Sequence, residues 1–183
     1  MASNDYEFVT CWRVQGTVAE VKEILGDAAS LPRWWPSVYL DVSVLVPGDP
    51  AGMGKTVELL TQGWLPYQLR WRFVTTEARA DGFTLEATGD FEGRGVWTFV
   101  QAGSDVDVTY DWRIRARKAL LRSLSWLLKP VFAANHRWAM ARGEESLALE
   151  LRRRRAVTDA DRAAIPAPPG PMLWGRSTVS PLR

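Results

Sequence analysis

Residues 106–130, "VDVTYDWRIRARKALLRSLSWLLKP", hold the change of pattern on which the fold turns. Up to residue 116 the chain alternates. Val106, Val108, Tyr110, Trp112 and Ile114 share one face and Asp107, Thr109, Asp111 and Arg113 the other, the period of a half-buried strand. From about Lys118 the period becomes 3.6, and a long helix is expected to run to Arg155, interrupted at Pro130, which lacks a backbone donor. Along that helix Phe132, His136, Ala139 or Met140, Gly143, Leu147 and Leu151 fall on one stripe. A ring-laden strand face that leads into a helix with a single apolar stripe predicts that the helix lies on the sheet.

Toward the N-terminus the same alternation recurs. In "YQLRWRFVTTEA" (67–78), Tyr67, Leu69, Trp71 and Phe73 oppose Gln68, Arg70 and Arg72. Asp81-Gly82 signals a hairpin, and "FTLEATGDFEGRGVWTFVQ" (83–101) supplies two strands hinged near Gly89-Asp90 before Gly103-Ser104 turns the chain again. At the start, "YEFVTCWRVQ" (6–15) places Tyr6, Phe8, Trp12 and Val14 together. Thr17 with Glu20 three residues on reads as a capping box, opening one or two short helices that Pro32 and Pro36 close. "SVYLDVSVLV" (37–46) and "KTVELLTQG" (55–63) are further strands. The short connections predict an antiparallel meander with one wet face.

Between those two strands lies "PGDPAGMGKTVELL" (47–60), which has the Gly-Lys-Thr ending of a phosphate-binding loop. That loop needs its first glycine where Asp49 stands, and it leads into a helix, whereas "KTVELLTQ" has no helical stripe. A glycine-rich strand connection is the better reading.

At 183 residues the chain suffices for one domain, and its net charge of +2 argues for neither nucleic acid nor an acidic partner. With one cysteine, Cys11, and one histidine, His136, neither a disulfide framework nor a Cys/His metal site is expected, and no cofactor is called for. Residues 1–10 lack the basic start and apolar run of a secretory signal, and no run approaches a membrane span, so a cytoplasmic protein is expected. The arginine run 152–155 reads as a solvated helix end, and residues 156–183, holding five of the eleven prolines, as a disordered tail. Ten tryptophans are far more than a core of this size requires. Where they point is the functional question.

The order of elements, together with "LPRWWP" (31–36), "FEGRGVWTF" (91–99), "VTYDW" (108–112) and "KPVFAANHRWAMARGEESLALEL" (129–151), resembles the START-like SRPBCC superfamily, and within it bacterial polyketide cyclase/dehydrase-like proteins. The resemblance covers roughly residues 5–155. It implies an α+β helix-grip domain over 1–155, with a curved antiparallel sheet of six to seven strands wrapped around the C-terminal helix. It also implies a deep apolar cavity between them, whose mobile rim would include the glycine-rich loop. Relatives include enzymes, lipid carriers and pure binders, so function must come from the site.

On this reading Tyr67, Trp71, Phe73, Phe83, Trp97, Phe99 and Trp112 from the sheet, with Phe132 and Met140 from the helix, would line a ligand cavity, unless they simply fill the core. His136 is either a proton-transfer residue or a satisfied structural histidine, Tyr110 either orients a ligand or packs, and Asn135 would point elsewhere. Trp34 and Trp35 would form a lid at the cavity mouth or seal the bottom of the core. Glu92 and Arg94 suit a surface ion pair better than a cavity acid. The expected function is binding of a small hydrophobic ligand. The alternatives are a cyclase/aromatase-type enzyme and a lipid carrier that touches a membrane through the basic, leucine-rich segment 113–128.

Overall fold

A computed structural model of the chain describes residues 5–116 and 125–172. Seven strands form one antiparallel sheet: β1 (Asp5–Gln15), β2 (Tyr39–Val46), β3 (Thr56–Gln62), β4 (Gln68–Arg79), β5 (Gly82–Gly89), β6 (Phe91–Ala102) and β7 (Asp105–Ala116). Their spatial order is β1-β7-β6-β5-β4-β3-β2, so every neighbour after the first pair is a hairpin neighbour. Between β1 and β2 come α1 (Val18–Gly26), a 3-10 turn (Ala28–Ser30) and α2 (Leu31–Trp34). The capping box is in place: Thr17 Oγ1 accepts from Glu20 N at 3.3 Å and Glu20 Oε2 accepts from Thr17 N at 2.9 Å.

The long helix α3 (Ser125–Arg155) runs through Pro130 without the expected break. The buried face beyond the proline, with Met140, Leu147 and Leu151, outweighs its local cost, as helical stability in proteins comes mostly from such a face. The start of the expected helix, residues 117–124, lies outside the described residues. Along the stripe, Met140, Leu147 and Leu151 are buried. Gly143 is a close-approach position, because a Cβ there would lie 2.3 Å from the indole of Trp35. The helix also covers the free edge of β1, where Glu144 Oε1 accepts from Arg13 N at 2.9 Å.

The arginine run does more than end a helix in water. Arg154 meets Glu23 at 2.7 Å and Arg155 meets Glu20 at 2.6 Å, tying the end of α3 to α1. Glu150, whose side chain is 2% exposed, takes Arg33 of α2 at 2.7 Å and Arg154 at 3.0 Å. After Arg155 the described residues include a short helix α4 (Asp159–Ala163), capped by Thr158 and Asp161, and Arg153 donates to the carbonyl of Pro166. The sequence signal missed there was that Thr-x-x-Asp cap.

Candidate functional site

A cavity of about 170 Å³ lies between the N-terminal half of α3 and the sheet, at the end where β3 turns into β4. Its sheet wall is built by alternation: Trp71 from β4, Phe91 from β6, and Tyr110, Trp112 and Ile114 from β7. β1 adds Tyr6 and Phe8, Trp35 just after α2 stands at the inner limit, and the long helix presents Phe132, Asn135, His136, Ala139 and Met140. Residues 63–67, including Tyr67, close one side. The rings support one another. Trp97 stacks on Tyr110 at 4.0 Å, Tyr110 on Trp112 at 5.5 Å, and Trp71 packs against Phe91 at 5.0 Å.

Of the residues singled out from sequence, Tyr67, Trp71, Tyr110, Trp112, Phe132, His136 and Met140 meet at this cavity. Phe73 and Phe83 line a second cavity at the far end of the sheet. Trp97 and Phe99 are buried between the two, in contact with Phe83. Tyr6, Phe8, Phe91 and Ala139 are wall residues that the sequence reading did not assign to the site, although it put Tyr6 and Phe8 on the right face. Trp35 is 2% exposed and stacks edge-on against Trp12 and Tyr39, so it seals the inside. Asn135 does not point elsewhere: its Oδ1 accepts from Leu65 N at 3.2 Å, fastening the loop before β4 to the helix. Adjacent helical residues are only about 100° apart, and a broad wall takes both. Arg94 pairs across the sheet with Glu77 at 3.7 Å, on the outer surface.

The polar character of the site is neutral. Among the described residues, no Asp, Glu, Lys or Arg lines it. His136 stacks on Phe8 with centroids 4.2 Å apart, and its Nε2 lies 3.4 Å from Thr10 Oγ1. Burial, helped by the nearby Arg137 charge, lowers its pKa to about 4, so the ring is neutral at pH 7. Burial likewise pushes the Tyr67 phenol up to about 12, with Tyr6 adding to the shift, and raises Tyr110 far enough that it stays a phenol. Trp71 Nε1 is satisfied by Thr61 Oγ1 at 3.1 Å. Two other buried donors on the wall, the Tyr6 hydroxyl and Trp35 Nε1, have no hydrogen-bond partner among the described residues.

No family model matches the chain, and no curated protein matches it. Solved structures do. The Zhui aromatase/cyclase of Streptomyces sp. R1128 superposes with a TM-score of 0.69 at 14% identity, over 84% of this chain and 97% of that one. A STAR-related lipid transfer protein of Xanthomonas axonopodis gives 0.56 at 19% identity, over 82% and 88%. Norcoclaurine synthase of Thalictrum flavum gives 0.52 at 14% identity, over 82% and 98%. Identities this low speak for architecture alone, and on that ground the chain has the helix-grip fold that this cyclase, lipid transfer protein and synthase share.

Proposed function

We propose that this protein binds a small, ring-bearing apolar molecule that carries a hydrogen-bond acceptor, in the cavity beneath α3. The observation that carries the reading is an aromatic wall that, among the described residues, bears no charge and holds two buried, unpartnered donors, Tyr6 OH and Trp35 Nε1. A buried donor left unmade costs roughly 1–3 kcal/mol, which a ligand carbonyl or ether would recover. Size narrows the class. A volume of about 170 Å³ is close to the ~150 Å³ cavity that accepts benzene and below the roughly 300–1,000 Å³ of drug-sized pockets. One or two fused rings fit that space.

The aromatase/cyclase-type reading uses the same cavity but asks it to move protons. A histidine held neutral with a pKa of about 4 offers almost no imidazolium at pH 7, and no carboxylate joins it among the described wall residues. Both facts favour holding a ligand over turning it over. The membrane-carrier reading rests on 113–128; of these, Arg113 and Arg115 are engaged by Asp111 and Asp5, and 117–124 lie outside the described residues.

The test compares 1-tetralone with tetralin, its hydrocarbon counterpart, by titration calorimetry. The proposal expects tetralone to bind one to one and several-fold tighter, with Tyr6→Phe removing most of the difference. Equal affinity for the two compounds refutes the acceptor, and binding of neither refutes the cavity.

A further inference from the structure

The second cavity, of about 630 Å³, opens at the other end of the sheet, between α1 and the glycine-rich β2–β3 connection. That connection is therefore not the rim of the cavity beneath α3. Its shape is set by its own backbone. Asp49 Oδ1 accepts from the N–H groups of Ala51 and Met53, both at 2.9 Å, and Gly48 has φ of +78° with no room for a Cβ against the carbonyl of Met53. The loop wraps the mouth of the cavity, and Leu25, Phe73 and Phe83 supply apolar wall.

Charge is distributed unevenly around it. Only four of the 23 basic residues are lysines, at 22, 55, 118 and 129. Two of these four, Lys22 and Lys55, line this one cavity. Each is half-buried, and each is held by a backbone carbonyl: Lys22 Nζ donates to Arg79 O, and Lys55 Nζ to Gly26 O at 2.7 Å. Neither has a carboxylate within salt-bridge distance among the described residues, whereas arginines throughout the sheet and helices do. Two of the three described wall carboxylates are engaged elsewhere. Glu23 is held by Arg154 at 2.7 Å, Asp49 by the loop amides, and exposed Asp27 lies in the field of Arg33. An ammonium has three donors, and each lysine has spent one.

We infer that this cavity is a second binding site, for a small organic carboxylate whose apolar body lies on Phe73 and Phe83 while its oxygens take the spare donors of Lys22 and Lys55. The site is independent of the cavity beneath α3 and of what that cavity holds. The probe is 2-naphthoate, set against its uncharged counterpart 2-naphthamide, in NMR titrations of the full chain. Naphthoate should shift the amides of Gly52 and Gly54, and bind there at least tenfold tighter than the amide. Lys22→Met and Lys55→Met should each weaken it roughly tenfold, with Lys22→Arg and Lys55→Arg restoring most of the loss. Each lysine is tested singly, so that one folded methionine variant suffices. Equal binding of the two probes at the loop, unchanged naphthoate affinity in a folded methionine variant, shifts confined to Ala139 and Met140, or no shifts at all would each overturn the assignment.

Discussion

At His136 a neutral ring lies between Phe8 and Thr10, and its burial makes a prediction about stability. Its folded-state pKa of about 4 lies below the ~6.5 of an unfolded chain, so the unfolded chain takes up the proton first as pH falls. Stability is full above pH 6.5 and declines toward pH 4, by about 2–3 kcal/mol. Urea unfolding between pH 7 and pH 4 should show this slope, and His136→Gln should flatten it. Glu20 is separable above about pH 5, since Arg155 and Thr17 hold its pKa at about 2 and its contribution is lost between the ordinary carboxylate value and that one. A lone histidine on an apolar stripe left two readings open in the sequence. The burial that lowers its pKa depends on partners such as Phe8, which is 128 positions away in the chain.

Among the elements, periodicity was legible and position along the strand was not. Alternation correctly put Trp71, Phe73, Trp97, Phe99, Tyr110 and Trp112 inside. A 12-residue strand such as β4 spans about 40 Å, however, far more than one small cavity covers. Its inward residues are therefore shared between two cavities and the packed rings that separate them. The end at which the glycine-rich loop falls could have been read: successive hairpin turns alternate ends, so the β2–β3 connection cannot share a mouth with the β3–β4 connection. Two tests belong to this scale. Gly143→Ala, which would gain about 1 kcal/mol in a free helix, should lose roughly 1–3 kcal/mol here, because its Cβ meets the Trp35 ring; chemical denaturation measures the sign. Arg33→Met leaves Glu150 with Arg154 as its remaining partner and should cost about 2 kcal/mol, between the worth of an exposed and a buried pair. Glu150 had no signal in the sequence, where it reads as one more charge on a polar helix end.

For the whole molecule, the sheet, its meander order and the helix lying on it followed from two periods and a few turn residues. The cavity did not follow, because a void is a difference between large packed volumes and no single residue announces it. Its existence is the claim on which the functional reading depends. Ala139 faces it from α3, and replacing it with Phe fills the space without altering a residue of the charge clamps or of the sheet. The most direct measurement is a methyl NMR titration of the wild-type chain and of Ala139→Phe with 1-tetralone. A saturable one-to-one response at the Ile114 and Met140 methyls in the wild type, abolished in a folded Ala139→Phe variant, is the predicted result. Tetralone binding that survives the filled cavity, or a wild type that does not respond, would contradict the account.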